Sequence, residues 1–501
     1  MSFMKAIKFP SAITVLLLIA AVVALLTYII PAGKYDRLTY NKELDTFSQE
    51  KETKTVVLAA TQETLDQFNI KIPIEKFKDG DIWKPIGIPN TYHTLKSQPQ
   101  GITAFIQSPI KGIMEAIDVI LFVLIIGGFI GIMNFSGAFE AGISSLAKTL
   151  HGREYILIIV ITFLIAIGGT TFGLAEETIA FYPILIPVFL AAKYDAMVAL
   201  ASIYIGSCIG TLASTVNPFC TIIASDAAGI NWTTGLTTRL IVFFLGLIIC
   251  LVYIIRYGQK VKLDPSKSII FEQKQAIESQ FPLTNLDSAL TLTAKYKFIL
   301  IVFMMCFVVM IYGVSQLDWW FLEMTTVFLI GAILIGIIAR IKETTFVDTF
   351  IKGANDLLGV AFIIGIARGV TVLMEDGLIS DSLLFYASSL TDGMNKGVFI
   401  NVMLYIYSGL SFFIPSSSGM AVLTMPIMAP LADGVGIGRD MVVNAYQFGM
   451  GIFAFINPTG LILASLAIVK IGFDKWLRFV MPLVGILLIF IMIVLTISVY
   501  I

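Results

Sequence analysis

Two histidines, four cysteines and a charged fraction of 13% in 501 residues leave this chain short of the groups on which most soluble chemistry depends. His93 and His151 both stand outside the apolar segments, which excludes a histidine proton relay or a histidine-held metal inside a membrane. Cys208, Cys220, Cys250 and Cys306 lie in apolar runs and form neither a disulfide framework nor a metal-ligand set; they read as small buried hydrophobes. A net charge of −1 provides no basic surface for nucleic acid. There is no Gly-rich loop ending in Gly-Lys-Ser/Thr to hold a nucleotide, so the chain does not read as a primary pump. The scarcity of histidine, and of any Ser or Cys clustered with a base, argues against an enzyme.

Apolar sequence is abundant: 57% of residues are hydrophobic and the mean hydropathy is +0.90. Soluble domains are about half apolar and roughly a quarter charged, so this is a polytopic, all-α membrane protein. Residues 1–32 carry Lys5 and Lys8 ahead of an apolar run long enough to span, and read as a first transmembrane helix rather than a signal peptide. Residues 33–110 are mostly polar and read as an extracytoplasmic insert, with short strands expected at Thr55–Ala59 and 68–74. Membrane sequence resumes at 111–256, pauses over a basic, cytoplasmic linker at 257–297, and fills 298–501. A single span is expected over 112–135, and an interfacial helix over 138–150.

The stretch 154–219 is almost wholly apolar yet interrupted twice, at Gly168-Gly169-Thr170-Thr171-Phe172-Gly173 and at Ser214-Thr215-Val216-Asn217-Pro218. In hydrocarbon an unpaired backbone group costs several kcal/mol, so irregular chain persists only where protein or a watery cavity covers it. The second half repeats the pattern. Ile110-Lys111-Gly112 returns as Ile351-Lys352-Gly353, Pro183 and Pro187 as Pro426 and Pro430, Asn217-Pro218 as Asn457-Pro458, and Trp232 as Trp476. All four are displaced by about 240 residues, the signature of an internal repeat. Segments 154–192 and 398–432 are either pairs of spans or re-entrant hairpins. With hairpins and a cytoplasmic N-terminus, the inner side holds Lys148, Arg153, Lys193, Arg340, Lys342, Lys352, Lys470, Lys475 and Arg478, while loops 225–235 and 316–320 hold no Lys or Arg. Counting both arms as spans destroys that asymmetry. The expected fold is therefore an inverted repeat of about nine transmembrane helices and two re-entrant hairpins, with the C-terminus outside.

Broken helices in inverted repeats place their ligand near the bilayer midplane. The candidate groups are Gly173, Glu176, Glu177 and Thr178 at the first hairpin tip, and Pro415, Ser416, Ser417, Ser418 and Gly419 at the second. Asn217 and Pro218, then Asn457, Pro458 and Thr459, supply the two breaks. Adjacent helical residues diverge by about 100°, so one of Glu176 and Glu177 should be a ligand or proton carrier and the other a structural partner. Arg368, mid-span at a cost of about 2.5–3.5 kcal/mol, requires a carboxylate partner such as Glu375 or an anionic ligand group.

The runs 168–178 (GGTTFGLAEET), 181–187 (FYPILIP), 366–370 (IARGV) and 412–419 (FFIPSSSG) resemble the YfcC family, related to the C4-dicarboxylate carriers within the ion transporter superfamily. The resemblance covers nearly all the chain except the insert. It implies secondary transport of a small molecule across the lipid bilayer by an elevator movement, often as a homodimer, with no cofactor beyond a coupling Na⁺ or H⁺. The leading expectation is exchange of basic amino acids of the arginine/ornithine type. Glu176 or Glu177 would face the cationic group, and Arg368 or the Ser-rich tip the α-carboxylate. The alternative is a C4-dicarboxylate carrier whose acids serve the coupled ion.

Overall fold

The structure, a computed structural model, describes residues 10–281 and 291–501 apart from 52, 53, 81, 83, 150–152, 318 and 392. Lys5, Lys8, His151 and part of the 257–297 linker lie outside the described residues. Ten described helices are long and apolar enough to cross a bilayer. Large apolar side chains such as Leu25, Phe244, Ile301, Ile337 and Ile489 stay exposed along them, as lipid-facing surfaces require.

Helix Ala12–Ile29 (α1) leads into an insert of strands Gly33–Lys34 (β1), Arg37–Asn41 (β2), Thr46–Glu50 (β3) and Thr55–Ala59 (β4), helices Gln62–Gln67 (α2) and Ile74–Lys78 (α3), and strands Ile86–Gly87 (β5) and His93–Thr94 (β6). The antiparallel sheet β4-β3-β2-β5 closes over Leu38, Phe47, Leu65, Phe77 and Ile86. The chain is thus helical in the membrane but not all-α. The strand expected at Thr55–Ala59 forms, but 68–74 is a link between two short helices. Asn69 there takes φ 54°, a left-handed turn incompatible with an extended run.

The first half continues with Ile102–Glu115 (α4), Ile117–Phe135 (α5), Ala138–Thr149 (α6), Tyr155–Phe172 (α7), Tyr182–Ala191 (α8), Ala196–Leu212 (α9), Ile223–Ala227 (α10) and Leu236–Leu263 (α11). Lys274–Gln280 (α12) belongs to the linker. The second half comprises Ala294–Gln316 (α13), Phe321–Ala339 (α14), Glu343–Asp356 (α15), Leu358–Asp376 (α16), Ser380–Ser389 (α17), Lys396–Phe413 (α18), Ser417–Val435 (α19), Arg439–Ala454 (α20), Ile462–Val469 (α21) and Phe473–Ser498 (α22).

The segment 112–135, read as one span, is broken at Ala116 (φ −104°, ψ 19°), where amphipathic α4 gives way to apolar α5. Its repeat partner breaks at Leu357 (φ −101°, ψ 2°), between α15 and α16. Packing between the halves is reciprocal. Helix α4 lies on α16 and α15 on α5; α1 lies on α16 and α14 on α5; α10 lies on α19 and α21 on α8. Three of the four repeat landmarks fall on matching elements. The fourth does not: Trp232 precedes α11, whereas Trp476 is buried inside the first turn of α22.

Helix α7 ends inside the expected break, at Phe172, and there Gly173 (φ 79°) turns left-handed. Gly168 and Gly169 serve packing instead. A Cβ on Gly169 would lie 2.9 Å from the Ser207 carbonyl oxygen, and one on Gly210 would overlap that of Ala166. Gly206 and Gly210, four residues apart, thus let α9 press against α7, the small-residue crossing common in membranes. Gly210→Val should lower the melting temperature of the detergent-solubilised protein by the equivalent of about 1–3 kcal/mol. Gly485→Ala, with nothing near the added methyl, should not. An unchanged melt for Gly210→Val would contradict this crossing.

Candidate functional site

Each polar break is tied to a helix end of its own half, that of α7 in the first and that of α18 in the second. In the first half Thr170 Oγ1 donates to the Ala213 carbonyl at 2.9 Å, and the Thr215 N–H returns to the Thr170 carbonyl at 3.0 Å. Asn217 stands against Gly173, where a Cβ would meet its Nδ2 at 2.8 Å; its Oδ1 accepts from the Phe219 N–H at 2.8 Å. After it Pro218 opens the π-helical turn Pro218–Ile222. In the second half Asn457 Nδ2 donates to the Ser411 carbonyl at 3.0 Å and Thr459 Oγ1 to that of Phe412 at 2.9 Å, with Pro458 between them. Asn457 Oδ1 also accepts from the Thr459 N–H at 3.1 Å. These bonds take up carbonyls freed where α7 and α18 end.

At the first tip the chain leaves Gly173 and enters the 3-10 turn Glu176–Phe181. Glu177 turns back on its own backbone, its Oε2 accepting from the Ala175 N–H at 3.1 Å. Thr178 is buried and donates to the Ala175 carbonyl at 2.5 Å. The Glu176 carboxylate is half-buried and feels the charge of Asp118, at the start of α5. Helix α5 itself packs on this turn.

At the second tip α18 ends at Phe413, and the chain passes through Pro415 to Ser416, which caps α19 by accepting from the Gly419 N–H at 3.2 Å. Tyr446 donates to the Ser417 carbonyl at 2.8 Å, and Cys220 of the first break lies 3.7 Å from the same hydroxyl. Ser418 Oγ accepts from Lys84 Nζ at 2.8 Å, a contact from the insert to the tip.

Arg368 meets Glu115 Oε2 at 2.8 Å and, more loosely, Glu375 at 3.8 Å. The partner expected from spacing is present, and a closer one comes from α4. Arg368 is also near enough to Lys84 that, after burial, its charge is the second cause lowering the lysine pKa. The bend at Ala116 therefore separates two acids: Glu115 reaches Arg368, while Asp118 starts α5, the helix that packs on the Glu176 turn. Lys84, Glu115 and Asp118 were not among the expected site residues. A change from amphipathic to apolar sequence around Ala116 was the only signal for the two acids, and nothing in the insert distinguished Lys84.

Apolar helices, paired polar breaks and a charged cluster at their junction define a class: a helical, polytopic membrane transporter. The chain belongs to the DcuC family, the C4-dicarboxylate anaerobic carriers, whose model matches residues 9–500. An uncharacterized protein of Haemophilus influenzae is 42% identical over 99% of this chain and 98% of its own. An Escherichia coli protein named "Putative basic amino acid antiporter YfcC" is 29% identical over 96% of this chain and 94% of its own. Among solved structures, the Neisseria gonorrhoeae antimetabolite efflux pump MtrF aligns over 99% of this chain and 96% of its own with a TM-score of 0.41 and 14% identity.

Removing the Asn457 amide strands the Ser411 carbonyl, so Asn457→Ala should cost about 1–3 kcal/mol in thermal unfolding. Asn457→Asp, which keeps the acceptor for Thr459 but loses the donor, should recover only part of that. Full stability in both variants would contradict the described cap.

Proposed function

We propose that this protein is a secondary transporter of basic amino acids, working by an elevator movement in the cell membrane. Nine spans and two re-entrant hairpins in inverted repeat, with the N-terminus cytoplasmic and the C-terminus extracytoplasmic, form its frame. The observation that carries the reading is the two-sided charge at the Ala116 bend. Glu176 at one hairpin tip lies within the field of Asp118, while Lys84 donates to Ser418 at the other and Arg368 is paired with Glu115. A basic amino acid has the complementary form, with a cationic side chain for Glu176 and an α-carboxylate for Arg368 and Ser416–Ser418. Glu177, engaged with its own backbone, is the structural member of the acidic pair. The reciprocal packing of the halves supports a two-fold repeat, because a two-fold axis exchanges each element with its partner, and the distribution of Lys and Arg supports its inversion.

The second reading, a Na⁺- or H⁺-coupled C4-dicarboxylate carrier, is favoured by the cations at the second tip and by the family to which the chain belongs. There the acids would hold the coupling ion.

In proteoliposomes Glu176→Gln should reduce uptake of labelled arginine at least about ten-fold, since an interaction with a charged group is lost. Glu177→Gln should act mainly on thermal stability. Uptake unaffected by either change would sink the amino-acid reading; inhibition by excess succinate but not arginine would favour the dicarboxylate one.

A further inference from the structure

Helices α9 and α20 pack on each other, and each runs out into one of the two breaks. Every residue of α9 but Thr211 is buried, and a Cβ on Gly451 of α20 would overlap Leu212 at the end of α9. A helix leaves its last carbonyls free, and at a contact this close side chains must meet them.

Each of the two helices serves the hairpin tip of its own half. Ser207 of α9 donates to the Leu174 carbonyl at 2.6 Å, and Tyr446 of α20 to that of Ser417 at 2.8 Å. Each also reaches across to the break of the other half. Tyr204 of α9 donates at 2.8 Å to the carbonyl of Ala454, the last residue of α20. The next carbonyl, of Phe455, accepts from Trp476 Nε1 at 2.8 Å, and the Tyr204 and Trp476 rings meet edge to face with centroids 5.6 Å apart. In return Gln447 Nε2 of α20 donates to Thr221 Oγ1. That hydroxyl lies 2.7 Å from Ser214 Oγ and 3.1 Å from the Ser214 carbonyl, just past the end of α9. Thr221 stands in the π-helical turn after Pro218, an irregularity frequent at functional sites.

Two tasks thus recur on both helices, although the residues that perform them do not correspond. At the displacement that relates Asn217 to Asn457, Ser207 matches Gln447, yet the first holds a tip and the second the opposite break. The bonds answer what each helix end requires and are not a copied local motif. We propose that Tyr204 and Gln447 are positioning residues of the transport site, each setting the break of the opposite half so that the two breaks change shape together. The assignment rests on reading both breaks as parts of that site. A shift of either break is passed along the helix that holds it to the hairpin tip which the same helix supports.

Hydrogen exchange of the full-length protein, read by mass spectrometry in Tyr204→Phe and Gln447→Met, tests this without a solute. Gln447→Met should speed exchange of amides 215–222 about five-fold or more and leave 456–460 as they were; Tyr204→Phe should do the reverse. Tyr405→Phe, on the exposed face of α18, should change neither. Faster exchange only in the half that carries the substitution, equally in both breaks, or in neither would overturn the proposal. In proteoliposomes, KM for the transported solute, labelled arginine or labelled succinate, should rise about ten-fold in Tyr204→Phe and in Gln447→Met, with the maximal rate changed less. An unchanged KM in both would overturn the proposal too. If the unaltered protein takes up neither solute, the proposed function fails separately, and the crossed exchange pattern alone decides.

Discussion

Backbone groups set free inside hydrocarbon have no water to turn to, and the interrupted helices of this protein are arranged around that constraint. Where α7 and α18 end, Thr170, Asn217, Asn457 and Thr459 lie beside the freed carbonyls and amides, each from the same half as the hairpin it supports. In the second half the end of α18 is held by side chains of the break, and in the first Thr170 of α7 and the backbone of the break hold each other. Glu176 thus opens a 3-10 turn and Ser416 caps the long helix α19.

The large outline was legible in the sequence for reasons that membranes enforce. Apolar runs mark helices because only paired backbone survives in lipid, and Asn-Pro pairs mark breaks because proline lacks the donor a helix interior needs. Helices do break at Ile414–Ser416 and at both Asn-Pro positions. Local readings failed where one residue type serves two purposes. The glycines of 168–173 read as a single break, and α7 does end there, at Gly173 with its positive φ; but Gly169 is a crossing point against α9 and Gly168 makes room for Leu174. The bend at Ala116 left only a change from amphipathic to apolar sequence within a stretch long enough for one span, and the sheet of the insert was faint because its strands are short and mixed in polarity.

Charge around the site was only partly legible, for a different reason. Glu375 lies two turns from Arg368 on the same helix, so spacing alone suggested the pair. The closer partner, Glu115, is 253 residues away in sequence, and Lys84 is 334 residues from Ser418. Such contacts are set by how helices cross. Here α4 comes close to α16 because Gly112, Gly365 and Gly369 remove the side chains that would separate them. Had any of the three been larger, Glu115 would stand further from the arginine.

The reciprocal exchange of elements also bears on how the chain is made. Helix α5 is completed by α14 and α15, and α8 by α21, all of which leave the ribosome later than their partners. The glycine-lined faces of the first half must therefore wait in the bilayer, bare of their final neighbours, until most of the second half has been synthesised.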